Sequence, residues 1–180
     1  MPLVACGLLL LAACGGQTTE FQSADGSATA THHNGTDRWT IADAAGNEPV
    51  ADYDSMRVVE VGEDGHPMTV VYHKGEVCHW LQYYSTMQKR SEGETVGGVR
   101  QGRWVFYHPN GNVQSESHFV DGKPDGPYRV FRPNGAPYYI GTHRQGVAVG
   151  TWEFYDGEGN LAGTKVYDDE GRLVATSEEQ

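Results

Sequence analysis

A repeat of 24 residues constrains this chain more than any other feature. Gly102, Gly126 and Gly150 recur at that interval, with no insertion or deletion between them. Each is followed, at constant distances, by a large aromatic residue, a second aromatic residue and a turn glycine. These are Trp104, Tyr128 and Trp152; Tyr107, Phe131 and Tyr155; and Gly111, Gly135 and Gly159. A unit this short cannot bury its own apolar face and must stack on its neighbours.

Each unit contains two segments that are typical of strands. In the first unit these are residues 103–108 and 113–120, and residues 109–112 form the turn between them. That turn contains Asn110-Gly111, a strong hairpin signal because both residues tolerate positive φ. Residues 121–126 form the next turn. The sequence therefore predicts an all-β fold, an antiparallel β-meander of stacked two-strand repeats in an open, twisted single sheet.

The first residues are typical of an exported protein. Within residues 1–13, the run from Leu3 to Ala13 is apolar or small throughout and too short to span a bilayer as a helix. The run ends in Leu-Ala-Ala before Cys14, which resembles a bacterial lipobox, although no Lys or Arg precedes it. We therefore expect a lipoprotein signal peptide, lipidation of Cys14 and a place in the cell envelope. Gly15 stands directly after this cysteine, where glycine rather than aspartate resembles lipoproteins that are sorted to an outer membrane. We therefore expect the protein to be anchored in the outer membrane and to face the periplasm.

Four further segments are predicted. Residues 14–37 are polar and small, which favours a flexible tether. Residues 38–77 hold strand-like runs and an N-terminal β-hairpin region that is compatible with a degenerate repeat. Residues 78–173 are the repeats, because Trp80 precedes Trp104 by the same 24 residues. Residues 174–180 are expected to be a frayed tail.

Charge and motifs exclude several function classes. The formal net charge of -11 argues against nucleic acid and against a basic lipid-docking face. The chain has no G-x-S-x-G, P-loop, H-E-x-x-H or Cys-x-x-Cys motif, so we predict no catalytic residues, no metal and no cofactor. His73, Cys78 and His79 fall at one predicted turn. Surface histidines beside a buried cysteine are the favoured interpretation, because soft metals need three or four ligands in closed geometry.

Strand alternation separates the repeated aromatic residues onto two faces. We predict that the first face, with Trp104, Phe106, Trp152 and Phe154, is the core. The second face holds Val105, Arg129 and Glu153, which we expect to be more exposed, together with a column of Tyr107, Phe131 and Tyr155. Aromatic residues beside arginine are favoured at interfaces. The predicted partner-binding residues are therefore Tyr107, Phe131, Tyr155, Arg129 and Arg132, with burial of the column by another element as the alternative.

The repeat resembles a known family. The pattern Gly-x-Trp-x-Phe-Tyr-x-x-x-Gly, read from Gly102 to Gly111 and followed by Gly122 and Gly126, is similar to the bacterial MORN-variant repeat. Proteins built from it are grouped as YwqK-family antitoxins. The resemblance implies a non-catalytic, membrane-anchored protein that binds or scaffolds a protein partner, in its narrower form a toxin. The string Tyr155-Asp156-x-x-Gly159 is also similar to YD repeats.

Two classes of function remain open at this point. The first is the envelope lipoprotein whose repeat sheet binds a protein. The alternative is an envelope carbohydrate binder or an enzyme with a site in residues 38–77.

Overall fold

The structure is a computed structural model that describes residues 18–23, 26, 28–34, 38–43 and 53–178. All regular elements in these ranges are β-strands. The described residues therefore contain no helix that is long and apolar enough to cross a membrane. The strands are β1 Thr18–Gln22, β2 Ala28–His33, β3 Trp39–Asp43, β4 Ser55–Val61, β5 Pro67–Lys74, β6 Val77–Tyr83, β7 Lys89–Val96, β8 Val99–Tyr107, β9 Val113–Val120, β10 Lys123–Phe131, β11 Pro137–Arg144, β12 Val147–Tyr155, β13 Leu161–Tyr167 and β14 Leu173–Glu178.

The strands form two antiparallel sheets. In the described residues, β4 to β14 make a sheet of eleven strands in sequence order, and β1 to β3 make a sheet of three. Each strand of the large sheet pairs with its chain neighbour, as short hairpin turns require. The large sheet is open, with β4 at one end and β14 at the other. The predicted all-β meander is therefore confirmed.

The small sheet packs against the first strands of the large one. Ala30 of β2 and Ile41 of β3 are buried in one cluster with Val70 of β5 and Leu81 of β6. Val70 and Leu81 are paired neighbours on the second face, and both are fully buried. This end of the molecule is a two-layer core, built by covering an apolar sheet face with another apolar face.

Two segments differ from the sequence-based expectations. Residues 18–22 and 28–33 lie where composition favours a flexible tether, yet they form β1 and β2. They are ordered because Phe21 and Ala30 pack on the large sheet. The expected frayed tail also contributes to β14, which pairs with β13 although all its side chains are exposed.

The two tryptophans on the first face of the repeats are buried by packing on the sheet itself. The Trp104 ring lies over Gly93 of β7, where an added Cβ would come within 2.3 Å of it. The Trp152 ring lies over Gly141 of β11 in the same way, at 2.2 Å. Glycine removes the side chain that would keep the ring off the sheet, so the indole lies flat against the neighbouring strand. Trp104 is 5% exposed and Trp152 is 8% exposed, which confirms their predicted core position.

Side chains also join each turn to the turn one repeat later. Tyr84 Oη donates to the Tyr107 carbonyl at 2.7 Å, and His108 Nε2 donates to the Phe131 carbonyl at 2.9 Å. Arg132 Nη2 donates to the Tyr155 carbonyl at 3.0 Å. Each donor comes from the earlier repeat. These three hydrogen bonds, here called turn bridges, hold successive hairpins in register at one end of the strands.

Candidate functional site

The second face changes character along the large sheet. Its central row runs through paired residues from Leu81 to Glu92, Val105, Glu116 and Arg129. The row is apolar under the small sheet and mostly charged in the repeats. The small sheet therefore covers the apolar residues Val70 and Leu81 of this face, and the repeats present most of its charged residues.

The aromatic column of Tyr107, Phe131 and Tyr155 lies at the ends of β8, β10 and β12. All three rings are half-buried, so they are neither core nor free in solvent. The Tyr107 hydroxyl donates to Glu92, and the Tyr155 hydroxyl donates to Glu153 Oε2 at 2.7 Å. Lys89 Nζ lies 5.7 Å from the centre of the Tyr107 ring. The column is thus set among charged groups of the second face.

These contacts fix the charge state of the column. Burial and the bond to Glu92 raise the pKa of Tyr107, and the bond to Glu153 raises the pKa of Tyr155. Both phenols stay protonated and act as donors. Burial alone would raise the pKa of Glu92, but hydrogen bonds from Lys89 and Tyr107 outweigh burial and lower it. Glu92 is therefore an anion that fixes the orientation of the first ring of the column.

The two predicted arginines have different surroundings. Arg129 is exposed on the second face, where its Nη1 lies 3.4 Å from Glu116 Oε2. Arg103 reaches the same carboxylate from the other side, and that bond is the main cause of its raised pKa. Arg132 instead donates hydrogen bonds to the carbonyls of Tyr155 and Asp156, where β12 ends and the next turn begins. The structure thus places Arg129 on the exposed face, and it uses Arg132 to link two repeats.

One residue on this face contradicts the predicted exposure. Val105 was expected to be more exposed than the first-face residues, yet it is 1% exposed, and that expectation is wrong. It lies one repeat after the buried Leu81, between Glu92 and Glu116, and it prolongs the apolar row beyond the small sheet. Arg129 is exposed, as predicted, and Glu153 is half-buried. Phe106 and Phe154, expected in the core, are half-buried as well.

Sequence reasoning missed Tyr138. It is 46% exposed, and strand alternation from the first-face residue Tyr139 places it on the second face. The Arg132 guanidinium lies 4.5 Å over its ring. Tyr138 therefore adds an exposed aromatic surface beside the column. The repeat could not reveal it, because the residues 24 positions before and after it are Gln114 and Ala162.

His73, Cys78 and His79 do not converge on one site, and Cys78 is half-buried, whereas a buried cysteine was expected. His73 and Cys78 are cross-strand partners, with 3.2 Å between His73 Nδ1 and Cys78 Sγ. His79 points to the other face, where it contacts Tyr53. In the part of the chain that the structure describes, no group of three or more His, Cys, Asp and Glu side chains is placed to hold a metal ion. Cys14, the predicted lipidation site, lies outside the described residues.

Comparison with known proteins supports the repeat assignment over a short range. The family model of the MORN repeat variant matches residues 100–121, which span β8, its hairpin turn and β9. No curated protein matches the chain significantly. The chain therefore contains a MORN-type repeat, and such a repeat surface can mediate binding.

Proposed function

We propose that this protein is a non-catalytic lipoprotein of the cell envelope that captures a protein partner on the second face of its repeats. The observation that supports this most strongly is the change along that face. At β5 and β6 it already accepts another β-layer, the small sheet, over Val70 and Leu81. In the repeats the same face presents half-buried rings beside Arg129, a composition favoured in interfaces.

The test of this surface is a triple variant, Tyr107→Ser, Phe131→Ser and Tyr155→Ser. We expect it to lose partner capture, measured as the protein recovered from membranes with the lipidated chain and identified by mass spectrometry. Melting should fall less than for Trp152→Ala, because the column is only half-buried. A matched control is Leu173→Ser with Val174→Ser, which removes exposed apolar side chains from β14 and should leave capture unchanged. Unfolding of the triple variant, or unchanged capture, would refute the assignment.

The anchor is tested separately. We expect Cys14→Ser to abolish processing and fatty-acid labelling, because that cysteine carries all the acyl chains of the anchor, and membrane anchoring by acyl chains is lost with them. Cys6→Ser is the matched control, because Cys6 follows a second lipobox-like string. Normal labelling of the Cys14 variant would refute Cys14 as the lipidation site, and normal labelling with both cysteines replaced would refute the lipoprotein proposal.

The narrower form of the proposal is an antitoxin or immunity-like protein, as in the YwqK family that the repeat resembles. Its test is protection of a cell that produces the captured partner. Protection should require an intact aromatic column, and a partner that is harmless without this protein would exclude the role.

A further inference from the structure

Two arginines and one glutamate meet in a groove on the second face of the repeats. Arg103 of β8 and Arg129 of β10 reach the Glu116 carboxylate from the strands on either side of β9. Arg103 Nη2 donates to Oε1, and Arg129 Nη1 lies 3.4 Å from Oε2. The groove has a volume of about 120 Å³ and is lined by Arg103, Glu116, Ser117, His118, Pro127 and Arg129.

A bulge in β10 lies beside this groove. Residues 125–127 of β10 oppose His118 of β9 alone, so the register of the two strands shifts at this point. Pro127 stands one repeat after Arg103, so a compact ring takes the place of a long side chain in the groove wall. Bulges are common next to functional sites, because they change the direction of the neighbouring side chains.

The two arginines are not fully neutralised by the acids around them. Arg103 is 62% exposed and Arg129 is 45% exposed at the side chain, whereas the Glu116 that they share is 20% exposed. Glu92, on one side along the central row, already accepts hydrogen bonds from a lysine and from the first tyrosine of the column. Glu153, two strands beyond Arg129, accepts from the last tyrosine of the column. The groove therefore keeps one positive charge.

Other ion-paired arginines of the described residues do not share their acids in this way. Arg144 is paired with Asp169, and Arg172 is paired with both Asp168 and Glu170. The groove is thus a local positive site on a chain whose formal net charge is -11. An unpaired positive charge at an exposed face is complementary to a negative group of a partner.

We propose that this groove binds one carboxylate of the protein partner, the side chain of an aspartate or a glutamate, an inference that rests on the function proposed above. A guanidinium presents several N–H donors in a planar fork that matches a carboxylate, and Glu116 occupies one nitrogen of each arginine. Glu116 also holds the two guanidiniums in place before the partner arrives, which lowers the cost of binding. A second carboxylate balances the charge of the groove, whereas a phosphate dianion would exceed it and lie against Glu116.

The test titrates the full chain at low ionic strength with three tripeptides, each acetylated and amidated: Gly-Glu-Gly, Gly-Gln-Gly and Gly-phosphoserine-Gly. NMR of the arginine Nε–H groups follows binding. We expect the Arg103 and Arg129 signals to move together with the glutamate peptide and to stay in place with the glutamine peptide. The Arg132 signal should stay in place throughout, because its Nε donates to the Asp156 carbonyl.

Variants separate binding from a surface ion pair. Arg103→Gln and Arg129→Gln should each weaken binding of the glutamate peptide about two- to fivefold. Arg129→Lys should recover part of the loss, because an ammonium keeps the charge but lacks the fork. Arg144→Gln is the matched control, since Arg144 is 58% exposed and ion-paired, and it should leave binding unchanged. Glu116→Gln removes the competing charge and should tighten binding, a gain that a merely structural ion pair does not produce.

Equal shifts with the glutamate and glutamine peptides, unchanged binding in both arginine-to-glutamine variants, or tighter binding of the phosphoserine peptide than of the glutamate peptide would overturn the inference. Unmoved arginine signals together with loss of partner capture by the triple aromatic variant would reject this inference and leave the proposed function standing. Moving arginine signals together with unchanged capture by that variant would reject the proposed surface and retain the carboxylate site.

Discussion

The two halves of the large sheet bury their apolar residues by different means. At β5 and β6, Val70 and Leu81 are buried because the small sheet covers them. In the repeats, Trp104 and Trp152 are buried by lying flat over glycines of the adjacent strand. Burial of apolar residues in the first half requires a second layer. In the second half it requires only a glycine on the adjacent strand, which leaves space for the ring. Beyond Val105, the second face of the repeats is thereby left without a covering layer among the described residues.

The largest loss of stability is expected from Trp152→Ala in the repeats, the half of the large sheet that the small sheet does not cover. Trp152 contacts Tyr128, Tyr139, His143 and Tyr167, and its removal should lower the free energy of unfolding by ~3–5 kcal/mol. Its Nε1 has no hydrogen-bond partner among the described residues, so the loss reflects packing alone. Denaturant unfolding measures it. A cost near that of a surface substitution would show that ring-over-glycine packing does not hold the repeats together.

Leu81→Ala tests the covered half and should cost ~2–5 kcal/mol, since Leu81 is fully buried under the small sheet. Hydrogen exchange distinguishes the two halves. In this variant the amides of β2 and β3 should lose protection first, whereas Trp152→Ala should leave them protected, because repeat stacks couple mainly to neighbours. Uniform loss of protection in both variants would mean that the halves form one cooperative unit.

A smaller loss of stability is expected from Gly141→Ala, which adds a single methyl group under the Trp152 ring and so tests the packing of the ring on glycine directly. The added methyl would lie 2.2 Å from the Trp152 ring and force it outward, at ~1–3 kcal/mol. Gly157→Ala is the matched control, because its Cβ would meet open space and its cost should stay within about 0.5 kcal/mol. Tryptophan fluorescence should shift to the red only in the first variant. Equal spectra would contradict the packing of the indole on Gly141.

The sequence predicted the parts of the fold that repeat and missed the parts that depend on distant contacts. The spacing of Trp104 and Trp152 gave the strands, the turns and the buried face. The small sheet could not be predicted, because β1 and β2 are short and rich in Thr and Ala, and they are ordered by contacts with strands far along the chain. The burial of Val105 was also not predicted, because alternation assigns a residue to a face but does not say what surrounds it there.

Met87 replaces the turn glycine of the repeat in the half of the large sheet that the small sheet covers, and its burial compensates for this replacement. It stands at the position of the turn glycine and has a φ of 64°, which costs an L-residue ~1–2 kcal/mol. Its side chain is 3% exposed within the core cluster. Burial of a methionine side chain contributes about 1.5–3 kcal/mol, enough to offset the strain. The missing glycine therefore marks a core contact and not a broken repeat.

The turn bridges give the stack a direction. Tyr84, His108 and Arg132 each donate forward to a carbonyl of the following repeat. The next residue in that series is Asp156, whose carboxylate has nothing to donate and instead accepts from Glu158 and Asn160 within its own turn. An extra unit copied from residues 126–149 and inserted between Val149 and Gly150 would keep every bridge, but the same unit added after Leu173 would begin without one. The series of forward bridges therefore ends at Asp156, and we expect the number of repeats to change more readily before this residue than after it.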